Sequence, residues 1–80
     1  MDRQSFERES AIHRRLYESM RDQIQRQHAG KYVALASGQV IVAPTYDEAR
    51  RGVESLQPIP EYYLIFPAEM EPSFDLAYDL

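Results

Sequence analysis

Eighty residues allow one domain at most, and a chain this short buries only about 60% of the surface its unfolded form exposes, so its core is small. With 44% hydrophobic and 28% charged residues, the composition is that of a globular protein and not of a disordered chain. Cysteine is absent, which excludes disulfides, a thiolate nucleophile and cysteine-bound zinc; no stretch approaches the roughly 20 apolar residues of a membrane span, and the start, charged from Asp2, lacks the apolar core of a signal peptide, so a cytoplasmic location is expected.

The first element is a helix over residues 3–28. It holds no Gly or Pro, and Phe6, Ile12, His13, Leu16, Tyr17, Met20 and Ile24 fall within one arc of about 140° at helical spacing. Arg8, Arg15 and Arg26 line one edge of that stripe, and Arg3, Arg14 and Arg21 the other. Gly30 supplies the left-handed residue that ends the helix. Residues 31–36 and 39–43 are two apolar runs joined by Ser37-Gly38, a two-residue hairpin turn in which Gly38 takes positive φ. Both faces of these strands are apolar, which requires cover on both sides. After Pro44, Thr45 and Glu48 form a capping box that opens a second helix over 46–56, with Ala49, Val53 and Leu56 on its apolar side and Gly52 near it, allowing a close approach to the sheet. Gln57-Pro-Ile-Pro60 is a stiff linker into a third strand, 61–66.

The expected fold is therefore α+β, in the order α-β-β-α-β, over residues 1–66. A right-handed crossover places the third strand beside the first, giving a three-stranded sheet of order 2-1-3 with the second helix on one face. The long first helix either covers the other face or extends to a partner. Residues 67–80 form an acidic aromatic tail in which Phe74, Leu76, Tyr78 and Leu80 alternate with Asp75 and Asp79. That is strand periodicity: a fourth strand of this sheet, a strand added to another sheet's edge, or a segment that orders in a basic groove.

Charge divides unevenly. Residues 1–31 carry seven basic and five acidic groups, net +2, and residues 32–80 carry two basic and eight acidic, net −6, which sums to −4. After Arg51 there is no basic residue. This balance argues against general nucleic-acid binding, for which the arginines of the first helix offer the sole footing.

No constellation of chemistry-bearing residues emerges. His13 and His28 are roughly 22 Å apart along one helix, too far to share a metal. His13, within the apolar arc, reads as a locally satisfied boundary histidine or a pH-sensitive contact, and His28 as a favourable cation at a helix C-terminus. Asp47 and Glu48 are explained by capping, and Glu69 and Glu71 lie in a loop. No catalytic, cofactor-binding or metal-binding residue is assigned, and no small-molecule ligand or membrane contact is expected.

The stretch Gly30-Lys-Tyr-Val-Ala-Leu-Ala-Ser-Gly-Gln-Val-Ile-Val, followed by Thr45 and Glu48-Ala49, resembles small bacterial and archaeal domains of unknown function that open with this hairpin and helix start. The resemblance covers residues 28–66 and implies a fold but no activity. The chain's long first helix and its acidic tail are additions to that pattern.

These features point to a non-catalytic protein-interaction module or a small subunit of a larger assembly, acting as a homo-oligomer or with a protein partner. The expected contacts are Leu16, Tyr17, Met20 and Ile24 on the first helix and Phe74, Asp75, Leu76, Tyr78, Asp79 and Leu80 in the tail. Two alternatives stand beside it: an antitoxin-like or inhibitor protein masking a partner's basic site, and a nucleic-acid-binding accessory protein using Arg8, Arg15 and Arg26.

Overall fold

A computed structural model of the chain describes residues 3–72. Its elements are α1 (Arg3–Gln27), β1 (Tyr32–Ala36), β2 (Gln39–Ala43), α2 (Tyr46–Glu54) and β3 (Tyr63–Pro67), the α+β order expected from the sequence. The sheet has the order β2-β1-β3, with β1 antiparallel to both neighbours. The path from β2 through α2 to β3 therefore runs from one edge of the sheet to the other.

Local chemistry sets most boundaries. Gly30, at φ 85°, ends α1, and the Lys31 N–H donates to the His28 carbonyl at 3.0 Å. The hairpin turn holds Ser37 at φ 51° and Gly38 at φ 70°. Positive φ at both positions is the type I′ geometry, whose twist matches that of the flanking strands, so Ser37 joins Gly38 in the left-handed region. Thr45 Oγ1 accepts the Glu48 N–H at 3.1 Å, capping α2. This helix ends at Glu54, two residues short of expectation, because the Leu56 N–H closes onto the Val53 carbonyl at 3.1 Å in a tighter final turn.

β3 begins at Tyr63 and not at residue 61 for a reason outside its own sequence. Tyr63 pairs with Ala36, the last residue of β1 before the hairpin turn, so residues 61 and 62 have no β1 partner. At the other end the ladder continues past Pro67, with the Ala68 N–H donating to the Lys31 carbonyl at 2.9 Å. That bond fixes the alternation: Leu64, Phe66 and Ala68 turn their backbone groups inward to β1, and Pro67, opposite Tyr32, lies at an outward position where a missing N–H costs the ladder nothing. Ala68 is fully buried, so the packed domain extends beyond residue 66 into what was expected to be tail.

Cover comes on both faces of the sheet. α1 lies on one, where Tyr17 and Ile24 pack with Val33, Leu35, Phe66 and Ala68. Tyr17 and Phe66 meet edge to face, with ring centroids 5.6 Å apart. α2 lies on the other, where Ala49 and Val53 pack with Ala34, Ala36 and Ala43. Between the two helices, Val33, Ala34, Leu35 and Ala36 of β1 are wholly shielded from solvent. The first helix thus covers the sheet instead of extending away from it.

The α2 face is built of small side chains, and the helix sits close. A Cβ added at Gly52 would lie 3.0 Å from Ile41 Cγ2. Gly52→Ala is therefore expected to destabilise the wild-type chain, the contact outweighing the gain of about 1 kcal/mol in helix propensity. In an Ile41→Ala background, which removes the opposing methyl, the same substitution should stabilise by about that amount. A double-mutant cycle read by urea denaturation checks both signs.

Candidate functional site

The structure separates the residues expected to meet a partner. Tyr17 and Ile24 are buried in the chain's own core and offer no surface, because α1 turns its apolar arc onto β1 and β3. Leu16 and Met20 lie half-buried at the margin of the same cluster, and Ile12, one turn before Leu16, is 45% exposed. The tail residues Phe74, Asp75, Leu76, Tyr78, Asp79 and Leu80 lie outside the described residues.

Two acids expected in an open loop are instead tied to α1. Glu69 Oε2 accepts the Gly30 N–H at 3.0 Å, and this bond holds the Glu69 carboxyl below its usual pKa. Glu71 forms an ion pair with Arg21. These links run from the residues after β3 to Arg21 in the C-terminal half of α1 and to Gly30 just beyond its end. Neither was visible in sequence, because each joins groups about forty or more positions apart. Among the remaining arginines, Arg8, Arg15 and Arg26 are all exposed on α1.

His13 is the buried polar residue among those described, 3% exposed. Its Nε2 accepts the Gly38 N–H at 3.2 Å, which places the ring proton on Nδ1 and requires a neutral imidazole. The contact pins the hairpin turn to α1: His13 is satisfied by a backbone group twenty-five positions away, and the bond it makes is itself sensitive to protonation. Burial lowers its pKa, and Glu9, with Oε2 3.7 Å from Nε2, acts in the opposite direction more weakly.

Beside that turn lies a notch of about 270 Å³, lined by Glu9, Ser37, Pro58, Ile59, Pro60, Glu61 and Tyr62. Three segments converge on it: the early turns of α1, the β1–β2 turn and the proline linker. The Phe6 and Tyr62 rings, edge to face at 4.6 Å, fasten the linker to α1. Ile59 stands 60% exposed between its two prolines, and two acidic residues, Glu9 and Glu61, are among those lining the notch. An apolar shelf with acids around it suits a ligand that is part apolar and part cationic. By sequence the linker is a stiff spacer; its one signal of a surface role is an isoleucine set between two prolines, where neither helix nor strand ladder can draw it into the core. Among the described residues no three His, Cys, Asp or Glu side chains come together to hold a metal, and no helix is long and apolar enough to cross a membrane.

The His13 contact makes stability depend on pH in a defined direction. The unfolded imidazole titrates near 6.5 and the folded one below it, so between the two values the unfolded chain binds more protons and stability rises with pH. Stability is expected to be full above about pH 6.5 and to fall as pH drops below it. Urea denaturation at about pH 7.5 and about pH 5.5 should show this loss in the wild type and much less of it in His13→Gln. A wild-type stability that is flat across the window contradicts the assignment.

No protein-family model, no curated protein and no solved structure matches the chain. Any functional reading rests on its own residues.

Proposed function

We propose that the chain is a non-catalytic protein-interaction module, or a small subunit of a larger assembly, that receives its partner at the notch beside the hairpin turn. The observation that carries this reading is the juxtaposition there of an exposed aliphatic shelf, Pro58-Ile59-Pro60, with the carboxylates of Glu9 and Glu61. A partner segment pairing an apolar side chain with Arg or Lys fits both features: its apolar part covers Ile59, and its cation meets the acids. The Phe6–Tyr62 contact supports the reading, because a wall already held in place loses less entropy on binding. His13 is engaged as the acceptor for the Gly38 N–H and is not among the residues that line the notch.

The second reading, an antitoxin-like or inhibitor protein masking a basic site, is favoured by the same acidic residues and by the net −6 of residues 32–80. It differs from the first in what the partner does, not in the surface used. The arginines Arg8, Arg15 and Arg26 belong to a nucleic-acid reading that the acidic notch does not favour.

The test is affinity capture on the immobilised full chain against a Glu9→Lys/Glu61→Lys variant, at low and raised salt. A protein retained by the wild type, lost with the variant and weakened by salt is the expected result. Identical retention by the two chains at both salt levels contradicts the notch as the contact surface.

A further inference from the structure

Among the described residues the sheet has two edges, and of these only β3 carries a proline. The bond from Ala68 to Lys31 sets the odd-numbered residues of β1 toward β3, so Tyr32, Ala34 and Ala36 bond to β2 through their partners Ala43, Ile41 and Gln39. Val40 and Val42 therefore turn their N–H and C=O groups outward. On β3 the outward residues are Tyr63, Ile65 and Pro67, and Pro67 has no N–H to offer. β2, Gln39-Val-Ile-Val-Ala43, has no charge and no proline, and it pairs one-to-one with β1 without a bulge. Its central residues Val40, Ile41 and Val42 are each partly exposed. Natural sheets usually blunt an apolar edge of this kind with charge, proline or a bulge unless it is used for pairing.

We infer that β2 is a self-pairing edge, through which two copies of the chain join antiparallel about a twofold axis at Ile41 to form one continuous six-stranded sheet. The strand is self-complementary about that residue. Val40 of one copy exchanges two backbone bonds with Val42 of the second copy, and Val42 does the same with Val40, so the four outward groups on each strand all find partners. Side chains match on both faces: valine meets valine on the side of α1, and isoleucine meets isoleucine on the side of α2. The acidic tail is the poorer occupant. One face of its alternation carries the charges of Asp75 and Asp79, whereas a second β2 brings no charge on either face. One short strand buries much less than the roughly 1,600 Å² of a standard interface, so the dimer should be concentration-dependent, with a dissociation constant on the order of micromolar or weaker. This surface is separate from the notch, and either reading can fail without the other.

The absence of cysteine allows a test specific to register. At the twofold axis the two residues 41 form a non-hydrogen-bonded pair with Cα atoms about 4.5 Å apart, within disulfide range. The two residues 40 are diagonal neighbours about 8 Å apart, outside it. Full-length chains carrying Ile41→Cys or Val40→Cys would be oxidised under mild conditions. In parallel, sedimentation velocity would follow the wild type, Val42→Pro, which removes one outward N–H and leaves the β1 ladder intact, and Leu76→Asp/Tyr78→Asp. Expected are a wild type moving from 9.4 kDa toward twice that mass with concentration, a dimer mass lost in Val42→Pro and kept in the tail variant, and cross-linking far faster through Ile41→Cys than through Val40→Cys. A wild type that stays monomeric to about 1 mM, equal cross-linking by the two cysteine variants, or a dimer abolished by the tail variant overturns the inference. Should Val42→Pro fail to fold, the ratio of the two cross-linking rates decides alone.

Discussion

The structure depends on a single requirement: β1 has to be covered on both faces. Val33 and Leu35 project to one side of the sheet and Ala34 and Ala36 to the other, and all four are shielded from solvent. Burying Val33 and Leu35 is worth about 1.5–3 kcal/mol each, a large share of what a domain this small can gather. The two faces are served differently. The large side chains meet α1, which supplies Tyr17 and Ile24, and the small ones let α2 sit so close that a Cβ at Gly52 would press on Ile41. Removing either helix exposes half of the central strand.

That requirement also decides which surfaces remain for other molecules. Among the described strands, β1 in the centre makes β2 and β3 edges, and their compositions diverge: β3 ends in Pro67, and β2 turns Val40 and Val42 outward with neither charge nor proline. The hairpin turn, fixed to α1 by the bond from Gly38 to His13, forms one wall of the acidic notch. At the opposite end, Glu69 and Glu71 fasten the chain after β3 to Gly30 and Arg21. The buried core of α1 and the surfaces offered by the turn, the linker and β2 are thus consequences of one packing arrangement.

What the sequence made legible follows the range of the interaction. Gly30, the Ser37-Gly38 turn and the Thr45–Glu48 cap act over a few residues, and each appears where expected. The apolar faces of both strands foretold cover on both sides, and Gly52 foretold the close helix. Harder to read was anything that depends on a distant partner. An apolar arc on a helix has the same spacing whether it meets a sheet of its own chain or a second protein, so Tyr17 and Ile24 could not be recognised as core before their contacts with Leu35 and Phe66 were known. The start of β3 was set by the end of β1, and the fate of Glu69 by a backbone N–H thirty-nine positions earlier. The notch arises from three segments that are remote in sequence, and no local pattern announces it.

Amide hydrogen exchange at residue resolution in the full chain, at low concentration, tests the two-sided core most directly. The account predicts that the Val33–Ala36 amides and those of α1 around Tyr17 and Ile24 exchange only through global unfolding, with one shared opening free energy. If the α1 amides opened at a much lower free energy while β1 stayed protected, the helix would be detachable, and the claim that β1 requires cover from both helices would be wrong.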